Sequence, residues 1–238
     1  MPKGDLMQPA RTAVRRPVWP FAALCLLIGA LVGLMYSAFV IDKGVRAYAT
    51  GESLWSKGRK DAIHALELYL FSGEDKHWLD YQTGLAVPLA DRAARLEMDR
   101  ADFDYERAFS SFVAGRNHPA DVPALIRLYR WLGWHERLQR VVEVWVAADV
   151  HILELERLGL DIRQRHAAGA IAPEQLRALD AEISRISAAI DPLETEFAMR
   201  LGESARWVQD LLDIVIVTAA MIMLLLVVYI FAYFVLLH

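Results

Sequence analysis

Residues 173–237 read PEQLRALDAEISRISAAIDPLETEFAMRLGESARWVQDLLDIVIVTAAMIMLLLVVYIFAYFVLL. Leu176, Leu179, Ile183, Ile186, Ile190 and Leu193 recur at steps of 3, 4, 3, 4 and 3, and Phe197 and Leu201 continue at steps of four. That spacing is an apolar seam of the coiled-coil type. Pro192 stands inside it and predicts a bend, because proline removes a backbone donor and crowds the preceding turn. The seam runs through GESARWVQDLLD into the uncharged run Ile214–Leu237 without a polar loop or a Gly-Pro linker. About 20 apolar residues cross a bilayer, so the end of the stretch is long enough to span. Read as one helix, it covers roughly 65 residues and about 95 Å at 1.5 Å per residue. A rod of that kind suits transmission by piston, tilt or rotation; it also suits a plain anchor.

A second uncharged run, PVWPFAALCLLIGALVGLMYSAFVI, occupies 17–41. It exceeds the roughly 7–15 residues of a signal-peptide core, so an uncleaved span is expected, despite a faint small-residue echo at Tyr36–Ala38. Trp19, Phe21 and Tyr36 suit the two interfaces. Lys3, Arg11, Arg15 and Arg16 precede it against one acid, Asp5. Basic flanks stay cytoplasmic. The expected order is therefore a cytoplasmic tail at 1–16, a span at 17–41, an extracytoplasmic domain at 42–210 and a span at 211–237. Only His238 follows the second span, so no basic residue marks that end.

Segment 42–210 carries 22 basic and 28 acidic residues. That balance speaks against a nucleic-acid surface, which is basic. The one cysteine, Cys25, falls in the first span, so packing alone must hold the outer domain.

Good helix formers dominate this segment and no alternating β-branched run occurs. Six helices are expected, making the chain all-α, with two transmembrane helices flanking a helical bundle. The first leaves the membrane and ends near Leu70 or Phe71, with Ile63, Leu66 and Leu70 on one face and Gly51 and Gly58 weakening its early part. After a turn at Ser72–Asp75, the second runs from about Asp75 to Met98, Trp78, Tyr81 and Leu85 facing inward, with a kink or break at Pro88. DFDYERAFSSFVAG is a third, stopped by Gly115. A short fourth has Asp121 as N-cap and Pro123 in its first turn. A fifth covers about 135–166 and the sixth opens at Pro173–Glu174.

The phosphate-loop, dinucleotide-binding, metalloprotease and nucleophile-elbow motifs are absent, and no catalytic residue or cofactor is assigned. Two H-x-x-E pairs, His64 with Glu67 and His151 with Glu154, share helix faces as metal ligands do, although solvated faces give the same spacing. Gly29 and Gly33 have the spacing of a membrane helix-packing face. The loop GRNHPADVP places Arg116, Asn117 and His118 together, near Trp131 and Trp134 in sequence. It offers a cation, an amide and an imidazole to a small ligand, with Trp134 as a wall, and it is equally good turn chemistry.

The stretches WSKGRKDAIHALELYLFSGED, YQTGLAVPLADRAARLEMD, FVAGRNHPADVPALIRLYRWL and LGESARWVQ cover most of 55–209. Together they resemble the N-terminal membrane input region of bacterial multi-domain signalling proteins. Those proteins are of the diguanylate cyclase, EAL phosphodiesterase or sensor histidine kinase type. The resemblance implies an output module after the second span, and this chain contains none of the output signatures. The stop at His238 is therefore read as the end of a fragment. The expectation is a sensory module of the bacterial inner membrane, with both termini cytoplasmic. It would be a homodimer responding to a small ligand or periplasmic partner, and would transmit through the 176–201 seam. A metal- or haem-binding membrane subunit using His64 or His151, and a passive scaffold, are the alternatives.

Overall fold

The computed structural model describes residues 19–169 and 171–236. The basic cluster read for orientation lies outside them. The described residues form six helices and no strand: α1 (Trp19–Ser72), α2 (Asp75–Met98), α3 (Tyr105–Ala114), α4 (Val122–Leu132), α5 (Glu136–Ala168) and α6 (Pro173–Leu236). The chain is all-α. Two compact units are present, one of Met1–Tyr36 with Asp213–His238 and the other of Ser37–Leu212.

In the first unit, α1 and α6 each carry a stretch long and apolar enough to cross a membrane. Mean hydropathy there reaches 2.5 and 3.0, with 6% and 0% of the residues buried. Exposed apolar surface on that scale is what a bilayer covers. A Cβ placed on Gly29 or Gly33 would meet no atom of the described residues within 4 Å, so among those residues neither glycine marks a tight helix crossing.

The second unit is a bundle with two apolar cores. One joins Leu66 and Tyr69 of α1, Tyr81 of α2, Ile152 and Leu155 of α5, and Ile183, Ile186 and Ile190 of α6. The other joins Ala47 of α1, Met98 of α2, Phe112 of α3, Leu125 and Ile126 of α4, and Trp145 of α5. The α6 seam enters both: Leu179, Ile183, Ile186, Ile190 and Leu201 are buried, Leu176 and Leu193 pack on the first core, and Phe197 packs on the second. Its partners are helices of the same chain.

Gly51 and Gly58 do not interrupt α1. With Gly44 they form a seven-residue repeat on one helix face. A Cβ on Gly44 would meet Leu128 at 3.0 Å, on Gly51 Asn117 Oδ1 at 2.9 Å, and on Gly58 Val87 at 2.7 Å. The glycines let α4, the α3–α4 loop and α2 approach the α1 backbone.

Pro88 likewise fails to break α2, which runs through it. Proline leaves the carbonyl one turn back, that of Gly84, without its helical donor. This carbonyl lies 3.0 Å from where a Gly58 Cβ would stand, at the tight α1–α2 crossing, so burial of Pro88 and close packing hold the helix together. α6 also continues through Pro192.

Several helix ends follow local rules. Gly73 (φ 65°) closes α1, and Asp104 caps α3 by accepting from Arg107 N. His135 caps α5, its Nδ1 accepting from Arg137 N at 3.3 Å. Asp121 occupies the N-cap position of α4 but makes no side-chain cap bond.

Candidate functional site

Where the two cores meet, the bundle holds a cavity of about 50 Å³ lined from all six helices and the loop after α3. Tyr48, Glu52 and Trp55 of α1 form one wall, and Val144, Trp145 and Ala148 of α5 another. Leu193, Glu194 and Phe197 close it from α6, with Asp91, Phe112, Asn117 and Leu125 completing the lining. A single water needs roughly 10–15 Å³ of such space, so the cavity has room for several waters or one small molecule.

The loop that positions Asn117 is a strained helix ending. Asn117 N donates to Phe112 O at 3.1 Å and Arg116 N to Val113 O at 3.0 Å, the Schellman pattern. Its left-handed position falls on Arg116 (φ 66°), the described non-glycine residue with positive φ. The glycine stands one residue earlier because a Cβ on Gly115 would lie 2.2 Å from Asp91 Oδ1. Asp91 therefore dictates where the glycine must be, and Arg116 bears the left-handed conformation, at a cost of about 1 kcal/mol.

Asn117 is buried and donates through Nδ2 to Asp91 Oδ1 at 2.9 Å and to Phe112 O at 3.1 Å. Burial pushes the Asp91 carboxyl well above its ordinary value; the Asn117 bond pulls the other way and the Asp149 charge adds to the rise. Asp149 is buried too, against Arg95 Nη2 at 2.6 Å, and burial raises it despite that partner. Glu194 has the opposite character. Burial works to raise it, yet hydrogen bonds from Ser56 and Lys60 and the Arg59 guanidinium hold it below the usual carboxylate range. Arg59, 1% exposed, reaches Glu194 Oε2 at 2.5 Å and Asp191 Oδ1 at 2.9 Å. Glu52 is half-buried, and burial followed by the Glu194 charge raises its pKa. The indole nitrogens of Trp55 and Trp145 are buried without an acceptor among the described residues.

The residues grouped from the loop do not form one site. Asn117 lines the cavity. Arg116 is exposed and donates to Thr83 O at 3.1 Å. His118 is exposed and accepts from Ala120 N at 3.1 Å, which is turn chemistry. Trp134, 73% exposed, donates to Trp131 O at 2.7 Å beyond the end of α4.

His64 is exposed. His151 Nδ1 lies 2.9 Å from Glu154 Oε2, which Arg185 also reaches at 3.4 Å. Among the described residues no group of three or more His, Cys, Asp or Glu is placed to hold a metal ion.

Glu52, Trp55, Asp91, Trp145 and Glu194 were not legible as a group in the sequence. A signal was present: Asp91 and Asp149 interrupt the inward faces set by Tyr81 and Leu85 and by Val144, Trp145 and Ile152. Charges on a buried face mark a polar layer. Comparison with protein families, with curated proteins and with solved structures finds no match for this chain.

Proposed function

We propose that this chain is the sensory input and transmission module of a bacterial membrane receptor. It is of the build that precedes cyclic-di-GMP turnover or histidine kinase outputs, and is itself without catalysis. In this reading the chain crosses the inner membrane twice with both termini cytoplasmic and works as a homodimer. The dimer forms through a surface other than the 176–201 seam, which its own bundle fills.

One observation carries the reading. The cavity is lined from α1 and α6, and both helices continue without a break into the apolar stretches. A ligand that favours one arrangement of the cavity walls thereby acts on the two helices that span. It shifts the balance of states only by its differential affinity for them.

The test is a chimera in which a diguanylate cyclase domain follows His238 and cellular cyclic-di-GMP is read. Charged substitutions at Ile183 or Ile186 do not serve, since both are buried in the core and would unfold it. Glu52→Gln and Asp91→Asn change the cavity while keeping shape. At equal protein level in the membrane, at least one is expected to move output twofold or more. Identical output in the parent and both variants refutes the proposal.

A further inference from the structure

The cavity selects by charge. Five aromatic side chains line it: Tyr48, Trp55, Phe112, Trp145 and Phe197. Among the described residues no Lys, Arg or His lines it, while three carboxyl groups do. Two of the three are engaged, Asp91 by Asn117 and Glu194 by Arg59 and Lys60. Glu52 is half-buried and, unlike them, makes no hydrogen bond or ion pair within the described residues.

That asymmetry separates ligand classes. An anion in this space would meet Glu52 and Glu194 with no cation of its own. A neutral apolar molecule would fill the volume and leave Glu52 further desolvated and unpaired, which is costly. A metal ion lacks a donor set, since among the described residues no three ligating side chains converge. A small organic cation supplies the charge that Glu52 lacks, and the aromatic faces attract it through their quadrupoles.

We propose that the cavity is a binding site for a small organic ammonium ion, a primary amine or a methylated ammonium, held between the Glu52 carboxylate and aromatic rings contributed by α1, α3, α5 and α6. The volume of about 50 Å³ limits it to a molecule of a handful of heavy atoms, on the scale of about four waters. The inference deepens the sensory reading and rests on it for any effect on signalling; the binding itself is measured without it.

Purified full-length chain in detergent micelles is titrated with ethylammonium and with tetramethylammonium. The readouts are heat and the fluorescence of the buried tryptophans. Acetate serves as the anionic control and tert-butanol as the neutral control. Saturable binding of at least one ammonium ion is expected, with neither control binding. Glu52→Gln should weaken it tenfold or more, whereas Asp102→Asn, on the exposed turn between α2 and α3 and away from the cavity, should leave it unchanged. No saturable binding overturns the assignment. So does tert-butanol binding as well as the cations, or unchanged affinity in Glu52→Gln.

Adding the bound cation to the chimera separates this claim from the proposed function. Binding without any change of output sinks the sensory reading and leaves the site standing. Output that responds to the cavity variants without ammonium binding sinks the ligand class alone.

Discussion

Arg59→Met tests whether the layer between the two cores holds α1 to α6. The Arg59 side chain is 1% exposed and contacts two acids on α6, the residue before Pro192 and the second residue after it: Asp191, 62% exposed, and Glu194, 15% exposed. The Asp191 contact is worth little, because solvent screens it. The Glu194 contact is not screened in that way. Removing one member of a buried pair costs about 3–5 kcal/mol, mainly through the stranded partner. Here Glu194 keeps Lys60 at 3.0 Å and the Ser56 hydroxyl, which places the expected loss at the low end, about 3 kcal/mol. At roughly 2–4 °C per kcal/mol for a domain of this size, the melting temperature falls by about 6–12 °C. The assay is unfolding of the full chain in mild detergent, followed by tryptophan fluorescence, since Trp55 and Trp145 lie at the layer. Glu194→Gln in the Arg59→Met background removes the stranded charge and should restore more than half the loss. A single variant within about 0.5 kcal/mol of the parent refutes the reasoning, as does a double variant with no recovery; that value is the ordinary range for a surface change.

Asp91→Asn keeps an oxygen facing Asn117 and removes the titration. Burial raises the folded carboxyl, so folding takes up a proton, and the parent loses stability as pH rises above the unfolded carboxylate value of about 4. The variant should match the parent in urea unfolding at pH 3.5 and exceed it at pH 7; equal midpoints at both refute this. Gly84→Ala places a Cβ 2.7 Å from Ala62 N and 2.8 Å from Gly58 O. Both are backbone atoms, so a loss of about 1–3 kcal/mol is expected in the same assay, while Gly29→Ala, which meets nothing within 4 Å, should lose none. Arg116→Gly relieves the left-handed position at φ 66° and should raise stability by about 1 kcal/mol, less the exposed bond to Thr83; a clear loss in unfolding midpoint would show that the arginine side chain contributes more than its backbone costs.

The sequence spoke most clearly where one physical cause acts along one helix. The steps of three and four in α6 are the direct imprint of a buried face, and Ile183, Ile186 and Ile190 are indeed among its most buried residues. What the period does not reveal is the partner. A seam of this kind fits a second copy as well as it fits α1, α2 and α5, and the latter fill it. The continuity of α1 and α2 through Gly58 and Pro88 has a related reason. Pro88 and Gly58 are unfavourable in an isolated helix, but at the α1–α2 crossing the glycines give contact and the proline's orphaned carbonyl faces a neighbour. The cavity was illegible because its walls come from six helices, and convergence of Trp55, Asp91 and Trp145 is a property of the packing.

The layer between the cores is where this bundle departs most from what stability alone would favour. Arg59, Asp91, Arg95, Asn117 and Asp149 are all buried there or beside it. Among the described residues two indole donors and Asp149 Oδ1 have no partner, and Arg116 is held in a left-handed conformation. Each of these costs free energy of order 1–3 kcal/mol, and a leucine-filled layer would avoid them all. Chains break local rules together mainly where something other than stability is being served. Here the broken rules converge on one small space whose walls include both long helices. A ligand that pairs Glu52 and fills that space would recover part of the cost in one arrangement of the walls and not in another. That difference is the quantity a receptor needs.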